Sequence, residues 1–434
     1  MKVLMFGWEF PPHISGGLGT ACYGLTKGML KQDVEIIFVV PKSHGDEDQS
    51  QIKLVSAEEV PLSIEEKDFK YFKEYFQYIE IESVLVPYVD PVEYEKWKDG
   101  GSSEYSWDNV VTTNQTLTFS GEYGFDLLGE VSRYALIGAS LGERNDFDII
   151  HAHDWLTYPA GIAAKRVSGK PLVIHVHATE FDRSGVNVNP AVFEIEKKGM
   201  EMADTVVAVS HWTREIVISK YGIDPAKVFT VHNAVDFSEA DGMNSVNKSV
   251  REKIVTFLGR ITFQKGPEYF IEAANKVISR DKNVRFVMAG NGDMMNRMIR
   301  RVADLNISTH FHFTGFLKGD DVPRMFAMSD VYVMPSVSEP FGISPLEAMR
   351  SSVPVIISKQ SGVAEILNHA IKVDFWDVDA IADSIYGILN YNALSSTFKK
   401  YGQEEVFNLK WENAAAEVKK LYDQKINEYK NFNI

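Results

Sequence analysis

Short runs of β-branched and apolar residues recur along this chain, each followed by a loop punctuated by Gly, Pro or Ser and then by a helical pattern. That order is the sequence form of stacked strand–helix–strand units, whose crossovers keep strands parallel and cover both sheet faces. In the first half the runs are Lys2–Phe6, Glu35–Val40, Phe147–His151, Leu172–Val176, Thr205–Val209 and Val228–Val231. In the second half they are Ile254–Leu258, Arg285–Ala289, His310–Thr314, Val331–Met334 and Val355–Ile357. Between the two sets, Asp236–Arg251 is polar and lacks apolar periodicity, as a linker does. The expectation is an α/β chain of two doubly wound parallel-sheet domains facing a cleft, the first over 1–240 and the second over 241–408. The stretch 43–122 breaks the alternation. It is acidic and aromatic-rich, and DFKYFKEYFQYI within it reads as an amphipathic helix.

The length of 434 residues suits two domains, each with its own core. Hydrophobic residues at 45% and charged residues at 24% favour neither disorder nor a membrane class, and no apolar run approaches membrane-spanning length. A formal charge of −15 argues against a nucleic-acid surface, which demands a concentrated basic face. Any bound phosphate must be met locally. Cys22 is the only cysteine, so no intramolecular disulfide or multi-cysteine metal site can form, which fits a reducing, cytoplasmic compartment. The opening MKVLMFGWEF, soon interrupted by Pro11 and Pro12, reads as a first strand rather than a secretory segment.

In open parallel sheets, ligands bind beyond the carboxyl ends of strands, and here those loops carry most of the suggestive residues. Glu339-Pro-Phe-Gly-Ile-Ser-Pro-Leu-Glu347 leaves a strand and opens a helix. Ser344, Pro345 and Glu347 have the spacing of an N-cap, an N1 proline and a capping-box partner, which alone would account for Glu347. Glu339 caps nothing. The helix start offers N–H groups to a phosphate, and Phe341 and Gly342 let the backbone come close. Gly259-Arg260-Ile-Thr-Phe-Gln-Lys265-Gly266-Pro267 sets two cations at another strand-to-helix turn, a pairing suited to a departing diphosphate.

Gly16 and Gly17 follow the first strand and admit a phosphate or sugar against bare backbone, or simply make a tight turn. His151 and His153 end a strand and share one side of it. They read either as a zinc pair, for which spacing places no third ligand, or as hydrogen-bonded structural histidines. His177 and Glu180, with Asp182 and Arg183, add polar groups to the same rim. Asp377-Val-Asp379 reads as a helix start rather than a metal-binding pair, and Gly290–Asp293 as a strand-to-helix turn.

Taken together, the Gly16–Gly17 loop, HAHDW, GR…KG and EPFGISPLEA resemble the ordered motif set of retaining GT-B glycosyltransferases, especially the glycogen and starch synthase branch, over nearly the whole chain. The resemblance implies two Rossmann-like domains, the first on the acceptor side with an insertion at about 43–122, the second binding the nucleotide-sugar. That insertion reads as an acceptor-side element or as a satellite cluster covering the sheet edge. It also implies a final helix, within 409–434 and carrying Trp411, that returns to the first domain. By resemblance Glu339 holds donor-sugar hydroxyls, Glu347 holds the ribose, Arg260 and Lys265 grip the diphosphate, and His153 lies beside the transferred sugar. Gly16, Gly17, Phe341, Gly342, Ile343 and Ser344 join the donor site, and His177 and Glu180 fall on the acceptor side.

Two motifs depart from bacterial glycogen synthases. Ile14 and Ser15 stand where those enzymes carry Lys-x before the double glycine, and Glu347 stands where they tend to have tyrosine, which places the chain nearer the archaeal and broader type. The expected reaction is transfer of a hexosyl unit, glucose by resemblance, from a UDP- or ADP-sugar to an α-glucan, with no metal and no cofactor. The alternative is transfer to a lipid, glycoconjugate or small metabolite. A non-catalytic sugar-nucleotide binder would be expected to have lost Glu339 or Lys265.

Overall fold

Thirteen strands in two separate sheets organise the described residues of the computed structural model, which are 1–13, 16–47, 52–82, 114–124, 126–236, 251–317 and 319–432. Most of the expected linker, the stretch 83–113, Ile14 and Ser15 lie outside them. The first sheet holds β1 (Lys2–Phe6), β2 (Glu35–Val40), β3 (Lys53–Ser56), β4 (Ile149–His153), β5 (Leu172–Val176), β6 (Thr205–Ala208) and β7 (Val228–Thr230) in the order β3-β2-β1-β4-β5-β6-β7. The second holds β8 (Lys253–Leu258), β9 (Val284–Ala289), β10 (Phe311–Gly315), β11 (Val331–Met334), β12 (Val355–Ser358) and β13 (Ile371–Val373) in the order β10-β9-β8-β11-β12-β13. Pairing is parallel throughout both.

Most strand ends fall within one residue of the sequence reading, and three differences are larger. β4 begins two residues later than expected and runs on to His153, so both histidines lie within it. β3 and β13 were not expected. Both sit at or near a sheet edge and are short, with only half of β3's residues apolar, so neither leaves a long apolar run. β3 comes from the stretch that breaks the alternation, which therefore extends the sheet rather than only covering its edge.

The helices of the first half are α1 (Gly17–Leu30), α2 (Glu66–Glu82), α3 (Leu127–Arg144), α4 (Tyr158–Ser168), α5 (Glu180–Ser184), α6 (Pro190–Met202) and α7 (His211–Tyr221). Those of the second are α8 (Pro267–Arg280), α9 (Met295–Asp304), α10 (Asp321–Met328), α11 (Ser344–Arg350), α12 (Val378–Asn390), α13 (Asn392–Val406) and α14 (Trp411–Phe432). Local chemistry sets several ends. Asn189 accepts from the N–H groups of Ala191 and Val192 at the start of α6, and Ser210 accepts from Thr213 N–H at the start of α7. α2 sends Phe72 and Phe76 into the core shared with α3 and α4. No helix among the described residues is long and apolar enough to cross a membrane.

The last helix returns to the first domain. Trp411, Ala415, Val418 and Tyr422 pack with Cys22, Leu25 and Met29 of α1 on one face of the first sheet. Glycines make the seat: a Cβ on Gly24 would lie 2.2 Å from the Trp411 ring, and one on Gly28 would lie 2.5 Å from the Trp411 carbonyl.

Candidate active site

Strand order reverses between β1 and β4 in the first sheet and between β8 and β11 in the second, and loops from these reversal points carry most of the expected residues. The two carboxyl-end surfaces face one another. Ser338 Oγ after β11 donates to Asp182 Oδ1 at 2.5 Å, and Ser210 Oγ at the start of α7 donates to the Pro340 carbonyl at 2.5 Å. Glu365 of the second domain accepts from the N–H groups of His211 and Trp212 at 2.9 and 2.6 Å and pairs with His232 Nε2 at 2.9 Å.

On the second-domain side, Val337 N–H donates to the Gln264 carbonyl at 2.9 Å, tying the loop after β11 to the turn after β8. That bond brings Lys265 and Glu339 together: Nζ lies 2.5 Å from Oε2, and Ser336 Oγ donates to the same oxygen at 3.0 Å. Glu339 is 5% exposed and the Lys265 side chain 22%, so this pair is desolvated and confined. Arg260 projects from the same turn, exposed, with Nη2 donating to Gln264 Oε1 at 3.2 Å. The turn after β9 packs behind it so closely that a Cβ on Gly290 would meet the Gly259 carbonyl at 1.8 Å, which explains that glycine without a ligand.

Gly342 has φ 99°, a left-handed conformation that a side chain would strain. The N–H groups of Gly342, Ile343 and Ser344 donate to no backbone carbonyl or side chain among the described residues. The capping-box reading of Glu347 is corrected. Ser344 Oγ pairs instead with Tyr332 OH at 2.8 Å, α11 starts without a side-chain cap, and Glu347 is left half-buried. Burial raises its pKa, opposed by Arg350. The Phe341 ring is buried in the core with Val209 and Val235, so only its backbone can face a ligand. Ile343 packs against the cores of both domains.

On the first-domain side, Cβ atoms on Gly16 and Gly17 would meet nothing within 4 Å, and Gly16 is simply extended, so room rather than backbone geometry distinguishes these glycines. His153 is fully buried and its Nδ1 pairs with His177 Nε2 at 3.0 Å. Burial drives both imidazoles down, His177 to about 3, and both remain neutral at physiological pH. Burial lifts Asp154 to about 6 against the pull of Arg183 and, from the second domain, Arg260. The Glu180 carboxylate is buried and held through both oxygens. Its Oε1 accepts from Ser184 Oγ and Asn189 N–H and its Oε2 from Arg183 Nε, so it organises its own loop.

Sequence reasoning passed over His175, directly across from His153 on β5, although H-x-H at the ends of two successive strands was the available signal. It also gave no sign of Tyr422, whose hydroxyl pairs with His151 Nδ1 across 271 positions of chain.

Residues 239–405 match the family described as Glycosyl transferases group 1, and residues 122–239 match Glycosyltransferase Family 4. An uncharacterized glycosyltransferase of Methanocaldococcus jannaschii is 28% identical over 450 residues, covering 97% of this chain and 98% of the relative. Among solved structures, sucrose-phosphate synthase from Thermosynechococcus elongatus superposes with a TM-score of 0.67 at 18% identity, covering 98% of both chains. The catalytic domain of starch synthase IV from Arabidopsis thaliana, bound to ADP and acarbose, gives 0.64 at 15% identity, covering 98% of this chain and 99% of that one.

Proposed function

This chain is a glycosyltransferase of the GT-B type, glycogen synthase-like and dependent on a nucleotide-sugar, and from that premise we propose that it moves a glucosyl unit from a UDP- or ADP-sugar to an α-glucan with retention of anomeric configuration. The observation that carries the site assignment is the Lys265–Glu339 pair at the β8/β11 reversal, with Arg260 exposed beside it. The diphosphate draws Lys265 away from Glu339, and the carboxylate so released accepts hydrogen bonds from the sugar hydroxyls. Arg260, Lys265 and the N–H groups of Gly342, Ile343 and Ser344 then stabilise charge that grows as the sugar–phosphate bond breaks. Glu347 takes the ribose. His153 flanks the transferred sugar, and the acceptor hydroxyl attacks from the leaving-group face, both by resemblance. The glucan acceptor is supported by the likeness to a starch synthase domain bound to ADP and acarbose.

Fixed cations take the place of a metal at the diphosphate. The test is a panel of UDP- and ADP-linked hexoses incubated with and without maltooligosaccharides, with products read by NMR. Glucan elongation with an α-anomeric signal, at a rate that magnesium or manganese does not raise, is the expected result. A β-anomeric product overturns retention, and dependence on added divalent ion overturns the cation-only diphosphate site. Donor hydrolysis without glucan transfer moves the acceptor to another class.

A further inference from the structure

We propose that His151, His153 and His175 form a buried three-imidazole site for a divalent transition ion of the Zn²⁺ class, seated on the first sheet beneath α1 and α14.

The register dictates the cluster. His153 lies opposite His175 in the β4/β5 pairing, and His151 is two residues earlier on the same face. The His153 and His175 ring centroids are 5.3 Å apart, as are those of His151 and His175, while His151 and His153 are 4.1 Å apart. All three rings are at most 2% exposed. One ligand nitrogen from each lies within 4.8 Å of the others. Two Zn–N bonds of about 2.0–2.1 Å meeting at a tetrahedral angle span about 3.4 Å, so the rings, which lie within 34° of parallel, turn toward one another for three nitrogens to meet on one ion.

Hydrogen bonding distinguishes this cluster from an ordinary group of structural histidines. Nδ1 of His151 is held by Tyr422 OH, and Nδ1 of His153 by His177 Nε2. Their Nε2 atoms, and both nitrogens of His175, are buried without a hydrogen-bond partner among the described residues. A neutral imidazole buried in a fold ordinarily satisfies both nitrogens, whereas a metal-ligating one has a single nitrogen held by a neighbour and the other on the ion, which is the pattern of His151 and His153; His175 has neither nitrogen held and so has one to offer the ion. Three imidazoles select a borderline ion such as Zn²⁺ over Mg²⁺ or Ca²⁺, which prefer oxygen. Negative charge to offset the ion is near: Cys22, whose sulfur lies within 4.8 Å of a ring nitrogen of His153 and of His177, feels the buried carboxylates of Asp154 and Glu9. The ion would pin β4 to β5 behind the wall of the cleft. His153 held through Nε2 could still flank a sugar with its C–H edge but could not hydrogen-bond it there.

The site does not rest on the glucosyl-transfer reading, and its test does not read activity. Untagged full-length protein, stripped of metal, is titrated with Zn²⁺, and bound metal and melting temperature are followed together. Cobalt absorption serves as a second probe of imidazole ligation. About one ion per chain, a melting temperature that rises with occupancy, and affinity weakened on the order of 10–100-fold or more in His175→Gln are expected. A His211→Ala variant is the control, because His211, His232 and Glu365 also place ligand atoms within 4.8 Å of one another. Absence of stoichiometric binding in the parent, or binding that survives His175→Gln but disappears in His211→Ala, overturns the proposal. Should His175→Gln fail to fold, the parent's stoichiometry and cobalt spectrum still decide.

Discussion

Glu347 shows how a single hydroxyl can reverse the meaning of a motif. Ser-Pro-Leu-Glu has the spacing of a capping box, yet Tyr332, arriving from β11, takes the Ser344 hydroxyl and leaves Glu347 without a capping duty. Loss of a true cap costs about 0.5–2 kcal/mol. Glu347→Gln is expected to melt at or above the parent temperature, since burial already disfavours the ionised carboxylate. Nucleotide affinity should fall; a melting loss on the capping scale with unchanged affinity would restore the cap reading. Gly342 carries a complementary expectation. Its φ of 99° and the Glu339 Cγ that would lie 3.2 Å from a new methyl make Gly342→Ala costly by about 1–3 kcal/mol, in the loop that seats Glu339. Thermal melts and turnover measured side by side check whether both drop. Sequence placed Arg260, Lys265 and Glu339 in one region because each follows a strand, but it could not show that Lys265 and Glu339 neutralise each other. That contact spans 74 positions and depends on the Val337–Gln264 bond.

At the scale of elements, most strands announce themselves through apolar runs, and the exceptions have physical causes. An edge strand such as β13 needs only one good face and three residues, and β3 hides inside an acidic stretch. The grip between α1 and α14 was legible only as Trp411 and a glycine-containing helix; their pairing needed the resemblance. It makes a sharp prediction. Trp411 is 4% exposed, and truncating a buried aromatic to alanine typically costs about 3–5 kcal/mol. Trp411→Ala should therefore unseat the last helix, and Gly28→Val should do so by pushing against backbone. Limited proteolysis is expected to cut both variants just before residue 411 faster than the parent. Equal cutting rates would mean that α14 is held by something other than this groove.

For the molecule as a whole, two sheets face each other at their reversal points, and polar contacts around α7 help join them. Glu365 is central to that joint. Burial pushes its carboxyl up, but His232 and the N–H groups of His211 and Trp212 outweigh burial and leave the pKa lowered. A carboxyl depressed in the folded state contributes stability that is present above its unfolded value, about 4.3, and is lost as pH falls through the folded one. The melting difference between parent and Glu365→Gln should therefore be constant from pH 7 to about 5 and shrink below about 4.3; a difference that stays flat to pH 3 contradicts it. The central claim is that Lys265 and Glu339 serve the two halves of one donor. Calorimetric titration of the nucleoside diphosphate into parent, Lys265→Ala and Glu339→Gln, with turnover measured on the same preparations, tests it directly. Lys265→Ala should weaken the diphosphate and lower turnover on the order of 10²-fold or more. Glu339→Gln should lower turnover while the diphosphate binds as well as before or better, because Lys265 has lost its internal counter-charge. If both variants fold, bind and turn over like the parent, the site is elsewhere.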